Sequence, residues 1–263
     1  MLALAATLLM QPTTQPAADK AKDAPLHPLV TEVFYAVPRD ADPDQDGKRS
    51  ATGDEFIEIV NPHAKPINLK GYRIADARKS PPTDSKDKNK AKDKPGDQDN
   101  RFSFTFPDLT LQPGEVVVLF NGYQSSPAQP CGTKDSAPTK NPKFHDAYVF
   151  SAETRSQYVA FSNSADCIAL YDADGQPVEC LYWGEKQQPE AAPRQSKLPE
   201  ARSSVQRSSP TGDFVPHTEL PGNDTCSPGK FSLKASTEST KQAPPTAAPP
   251  SSSSPASTPT RQK

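Results

Sequence analysis

Apolar and polar positions change character at residue 29, where short runs rich in β-branched and aromatic side chains begin, separated by turn residues. That alternation of brief apolar runs with Gly, Pro, Asn and Asp is the mark of an all-β domain. Strands are predicted at LVTEVFY (29–35), EFIEIV (55–60), INLKGYRIAD (67–76), RFSFTF (101–106), EVVVLF (115–120), YVAFS (158–162), DCIALYD (166–172) and PVECLYW (177–183). In RFSFTF, Phe102, Phe104 and Phe106 fall on one face and Arg101, Ser103 and Thr105 on the other, which predicts one dry and one wet face. Ile57 and Ile59 likewise share a face, with Glu58 opposite them. Asp172-Ala173-Asp174-Gly175 predicts a hairpin loop and Gln112-Pro113-Gly114 a turn, since glycine takes the positive φ that tight reversals need.

Other segments break this pattern. Residues 2–10 form an apolar block of the length of a secretory leader core, followed by the small-residue stretch QPTTQPAA but without a basic start. Residues 1–25 are therefore expected to be leader-like and to carry no fold, and the protein is expected to be exported to the periplasm, cell surface or medium. Residues 78–100 mix both charge signs with almost nothing apolar, which predicts a disordered, solvated insertion. Asp84, Asp87, Asp93, Asp97 and Asp99 offset its lysines and argue against a nucleic-acid arm. Residues 185–203, rich in Pro, Gln, Glu and Arg, predict a second long loop, and residues 233–263 a Pro/Ser/Thr-rich disordered tail. One domain over residues 26–232 is left.

Composition narrows the function. With 30 basic and 32 acidic side chains among 263 residues, the net charge of −2 gives no surplus to neutralise phosphates, so nucleic acid is not the expected partner. No apolar run reaches the roughly 18 residues of a membrane span. The 31 prolines are about twice the usual share of roughly 5% and disfavour long helices.

The order of the blocks VTEVFYAVP (30–38), GDEFIEIVNPHAKPINLKGYRIAD (53–76), FTFPDLTLQPGEVVVLF (104–120), FSNSADCIALYDADGQPVECLYWG (161–184), SVQRSSPTGDFVPH (204–217) and CSPGK (226–230) resembles the lamin tail domain, in particular its bacterial branch. The most specific positions are Asp54 to Glu58 with Asn61, Asn68 to Tyr72, and Ser227-Pro228-Gly229. Tyr72 stands where the family commonly has Trp and keeps an aromatic plug. The resemblance implies an all-β, immunoglobulin-like β-sandwich with long insertions and tails, and no catalytic apparatus. It implies a binding or structural module that presents loops to a protein or polysaccharide partner at the cell surface or envelope. The eukaryotic branch would instead imply an intracellular structural or nucleic-acid-associated module.

The sharpest chemical signal is Asp40-Ala41-Asp42-Pro43-Asp44-Gln45-Asp46-Gly47, whose alternate carboxylates suit one hard cation and whose Gly47 allows a sharp turn. It is not an EF-hand, because the twelfth position is Gly53 rather than Glu and a strand follows instead of a helix. Asp42, Asp44, Asp46, Asp54 and Glu55 are the candidate Ca2+ ligands of a calcium-dependent carbohydrate or adhesion module. The competing reading is an acidic loop kept soluble by its charges.

The four cysteines, Cys131, Cys167, Cys180 and Cys226, lack a Cys-x-x-Cys pair or clustered His, which argues against zinc. Export predicts disulfides, and Cys167 with Cys180 is the favoured pair, leaving Cys131 with Cys226. A four-residue hairpin loop would set Cys167 opposite Cys180 and a two-residue loop would set them diagonally on one face. Two buried thiols are the alternative. His27, His63, His145 and His217 are isolated, Glu55 and Glu58 point to opposite faces of a strand, and Arg207, Asp213 and His217 sit in a block that reads as a structured loop. Catalysis is not expected.

Overall fold

The computed structural model describes residues 25–77, 101–185 and 191–233. The expected leader, the insertion at 78–100 and the tail beyond residue 233 lie outside the described residues. The strands are β1 (Leu29–Phe34), β2 (Phe56–Val60), β3 (Ile67–Asn68), β4 (Arg73–Asp76), β5 (Ser103–Thr105), β6 (Thr110–Leu111), β7 (Val116–Phe120), β8 (Lys140–Asn141), β9 (Ala147–Ser151), β10 (Asp166–Tyr171), β11 (Pro177–Trp183), β12 (Arg194–Lys197), β13 (Val205–Arg207) and β14 (Phe214–Pro216). They form a first sheet in the order β14-β13-β1-β2-β7-β9-β8, a second in the order β12-β11-β10-β4-β5, and the small pair β3-β6. Among the described residues no helix is long and apolar enough to cross a membrane.

The two sheets pack through one apolar core. Val33, Ile57, Ile59, Val117 and Leu119 of the first sheet meet Ile74, Phe104, Ile168, Leu170, Leu181 and Trp183 of the second. Tyr35 stacks on Trp183 with ring centroids 4.6 Å apart. At period two, the remaining side chains of β1, β2 and β7 point to the outer face, yet most of them are apolar too. Phe34, Phe56, Val60, Val118 and Phe120 pack there against Phe144, Ala128, Phe231 and Leu233. This explains why β2 and β7 are buried at every position: the first sheet is the middle layer of three.

A buried charge group ties the layers together. Glu179 of β11 is fully buried and faces the first sheet, where Oε1 accepts from Arg207 at 2.5 Å and Oε2 accepts from the Val30 amide at 3.1 Å. Arg194 of β12 reaches the same carboxylate at 3.3 Å. Arg207 also donates to the Val30 carbonyl at 2.9 Å and lies 4.4 Å over the Phe214 ring. Removing Glu179 would strand Arg207 in the core, and removing Arg207 would leave the buried carboxylate only the more exposed Arg194.

A second polar group lies in the outer layer. Glu32 and Glu58 are direct cross-strand partners in the β1–β2 ladder, and both are fully buried. Glu58 accepts from the Thr31 hydroxyl at 2.6 Å and the Gly229 amide at 2.8 Å. Glu32 accepts from the Ser204 hydroxyl, from Gln206 at 3.2 Å and from the Ser227 amide at 3.0 Å. The chain-closing segment Ser227-Pro228-Gly229 is thus clipped to the outer face by two carboxylates. Burial, and then the neighbouring Glu32, push the Glu58 carboxyl up to about 8, and burial raises Glu32 as well.

Several expectations are revised. The run at 67–76 is two strands, because Gly71 at φ +83° turns the chain and Tyr72 donates to the Leu69 carbonyl. Residues 158–162 are not a strand: the Asn121 side chain takes the Val159 carbonyl at 2.7 Å, and Glu55 takes the Phe161 amide at 3.0 Å. Within the predicted loop at 185–203, Arg194–Lys197 instead forms the edge strand β12, parallel to β11. The hairpin at Asp172–Gly175 and the turn at Gln112–Gly114 are present, with Gly175 at φ +77° and Gly114 at φ +78°.

Candidate functional site

The connections that follow β1, β7 and β9 all leave from one end of the sandwich, because β1 runs antiparallel to β2, β2 antiparallel to β7, and β9 parallel to β7. The first of these is the acidic loop. Its turns come from Asx-type bonds: Asp42 accepts from the Gly47 amide at 3.0 Å, Asp44 from the Asp46 amide at 3.1 Å, and Asp46 from the Lys48 amide at 2.7 Å. Gln45 and Gly47 take positive φ, at 59° and 86°. The result folds the loop inward, so that one oxygen from each of Asp42, Asp44 and Asp46 lies within 4.8 Å of the others.

Asp44 is buried, and its second oxygen accepts from the Ser125 hydroxyl in the loop after β7. Asp54 is also buried and accepts from the Ser50 amide at 2.7 Å and from Ser125 at 3.5 Å. Burial pushes the Asp44 carboxyl up to about 6, with the charge of Asp46 adding to it. Burial pushes Asp54 up to about 7, with Asp44, Asp42 and Asp46 raising it further. The Arg49 guanidinium donates to the Val37 and Pro38 carbonyls at 2.6 and 2.8 Å. The donor set is hard carboxylate oxygen, which fits a cation such as Ca2+.

Glu55 is placed elsewhere. Its carboxylate turns into the end of the sandwich, accepting from the Phe161 amide at 3.0 Å and Asn121 at 3.4 Å, and burial raises its pKa well above the usual value. With Asn121, which also accepts from Thr154 at 2.5 Å, it pins the loop at 152–165. At the crest of that loop Tyr158 is 75% exposed, the one large exposed hydrophobic side chain among the described residues. Arg155 and Gln157 flank it, also exposed.

The cysteines separate into two settings. Cys167 and Cys180 lie on β10 and β11, fully buried, with their sulfurs 3.3 Å apart. A bulge between Leu170 and Tyr171 sets the register so that Cys167 faces Tyr182 and Cys180 faces Ala169, the diagonal arrangement rather than the opposed one. Cys131 and Cys226 are partly buried against the outer apolar layer, where burial pushes the Cys131 thiol up to about 12 and raises Cys226.

Arg207, Asp213 and His217 do not converge. Arg207 serves Glu179, the Asp213 carbonyl closes the β13–β14 turn on the Ser208 amide, and His217 bonds the Asp224 carbonyl at 3.0 Å and the Ser227 hydroxyl at 2.8 Å. His27 meets the Tyr72 hydroxyl at 2.9 Å and His63 the His27 carbonyl at 2.9 Å. The pairs Glu32–Glu58 and Glu179–Arg207 escaped the sequence reading. Their signal was present as a single Glu inside each of three apolar strands.

Two facing sheets with loops gathered at one end define an immunoglobulin-like β-sandwich module. The family model described as Lamin Tail Domain matches residues 39–185, and the chain belongs to that family. No curated protein matches the chain. The matched segment leaves out β1 and β12 to β14, although β1 lies between β13 and β2 in the first sheet.

Proposed function

We propose that this lamin tail domain is an exported, non-enzymatic binding module that uses the loop end of its sandwich to engage a protein or polysaccharide at the cell surface or envelope. The observation that carries the reading is the loop at 152–165, whose backbone is held by the buried side chains of Glu55 and Asn121 while Tyr158, Arg155 and Gln157 face solvent. A rigid loop that presents an aromatic ring with polar neighbours binds at low entropic cost. Export rests on the leader-like block at residues 2–10. The test is retention of the full chain on isolated envelope fractions, comparing wild type with Tyr158→Ala. The reading expects retention to fall at least 10-fold with no change in melting temperature, and equal retention overturns it. Recovery of the native protein at full length from the cytoplasm would overturn export and favour the intracellular alternative.

A second reading concerns calcium. The approach of the Asp42, Asp44 and Asp46 carboxylates to within 4.8 Å, beside Asp54, favours a cation site that stiffens the same loop end. Affinity would be of the order of 0.1–1 mM, as in extracellular modules. Calcium titration followed by melting temperature tests it: a rise at millimolar calcium supports the site, and no change removes it.

A further inference from the structure

We infer that Cys167 and Cys180 are the protein's site of covalent cross-linking, a disulfide that staples β10 to β11 at the centre of the second sheet, while Cys131 and Cys226 stay thiols. The sulfurs of Cys167 and Cys180 lie 3.3 Å apart, and closing that gap to the roughly 2.05 Å of a bond requires only a small approach of the two strands. Both side chains point to the same face of the second sheet, among Ala75, Ala77 and Ala169, whose small side chains leave the sulfurs as each other's near neighbours. The diagonal register set by the Leu170–Tyr171 bulge brings this about. Cys131 and Cys226 differ in each respect. They sit on loops against the outer layer, and the Cys131 sulfur lies 3.4 Å from the Gly132 carbonyl. Among the described residues no contact joins the sulfurs of Cys131 and Cys226, in contrast to the 3.3 Å approach of Cys167 and Cys180.

The bond forms by thiol–disulfide exchange with a disulfide donor. The thiolate of one cysteine attacks the donor and releases one donor thiolate, and the second cysteine then displaces the other as the Cys167–Cys180 bond closes. The two electrons reduce the donor, and the two cysteine protons end on its two thiols. Because both sulfurs are fully buried, exchange occurs before β10 and β11 finish packing. The pairing itself stands on the geometry of the second sheet, but its occupancy in the cell rests on the export reading.

The full chain, refolded from its reduced and denatured state in a glutathione and glutathione-disulfide buffer, is denatured in iodoacetamide and weighed, with and without prior reduction. The expected result is two added carbamidomethyl groups without reduction and four after it, with one cross-linked peptide pair joining Cys167 to Cys180. Four added groups without reduction, none, or a bridge between any other pair overturns the inference. As a second measurement, reduction should raise the unfolded-to-folded ratio by roughly 100-fold for a loop of this size, and this effect should vanish in the Cys167→Ala/Cys180→Ala variant. The same weighing on native protein from cell fractions separates the two readings: a bond that forms in the buffer but is missing from the native protein contradicts export and leaves the pairing intact.

Discussion

Replacing Glu58 with Gln should invert the usual cost of altering a buried residue, and the size of the effect depends on pH. In the fold the Glu58 carboxyl is pushed up to about 8 from an ordinary 4.5, so the folded state holds a proton that the unfolded chain releases. Stability from this group is therefore full below about 4.5 and is lost as pH rises toward 8. The gap between the two values corresponds to roughly 4 to 5 kcal/mol, undiminished by solvent because the side chain is fully buried. The facing groups do not cancel it, since Glu32 lies directly across the ladder and the closing segment offers amides and hydroxyls. Gln reproduces the neutral acid: its carbonyl can accept from the Gly229 amide while its NH2 donates to the Thr31 hydroxyl, whose role reverses. Urea denaturation of wild type and Glu58→Gln from pH 5 to pH 9 checks this. The variant should match the wild type within about 1 kcal/mol at pH 5 and exceed it by roughly 3 kcal/mol or more at pH 9. Parallel pH profiles, or a variant less stable at pH 9, would refute the reasoning.

Further outcomes follow from the same structure. Arg207→Ala leaves the buried Glu179 with only the more exposed Arg194 and should cost about 3 kcal/mol in urea denaturation at pH 7, with Glu179→Gln added to it recovering part of the loss. Gly229→Ala meets a φ of +90° and a collision with the Phe144 carbonyl, so it should release the closing segment, seen as faster amide exchange at residues 227–230. Asp54→Asn removes a carboxyl held up at about 7, so without calcium it should raise the melting temperature at pH 8 more than at pH 5, and it should weaken any calcium response. An unchanged difference between the two pH values would contradict that origin.

The strands with a clean period-two pattern were legible in the sequence, as RFSFTF shows with Phe104 in the core between exposed Ser103 and Thr105. The all-β sandwich followed from those runs together with the family blocks. Strands whose signal lies in their partners were not legible. Arg194–Lys197 is polar at every position and becomes a strand only because β11 offers it a free edge. Conversely, Tyr158 to Ser162 reads as a strand by composition, but buried side chains of Asn121 and Glu55 claim its backbone first. The acidic loop was legible because alternate Asp residues before a Gly carry their own turn chemistry. The different fate of Glu55 was not, since the residues that claim it, Asn121 and Phe161, lie 66 and 106 positions further along the chain.

Site-specific photo-crosslinking in intact cells tests the central claim most directly. A photoreactive side chain is placed in the full chain either at position 158, on the loop end, or at position 65, exposed beyond the far end of β2. The account predicts one discrete adduct from position 158, outside the cytoplasm, and none from position 65. Equal adducts from both positions, or an adduct from position 65 alone, would contradict it.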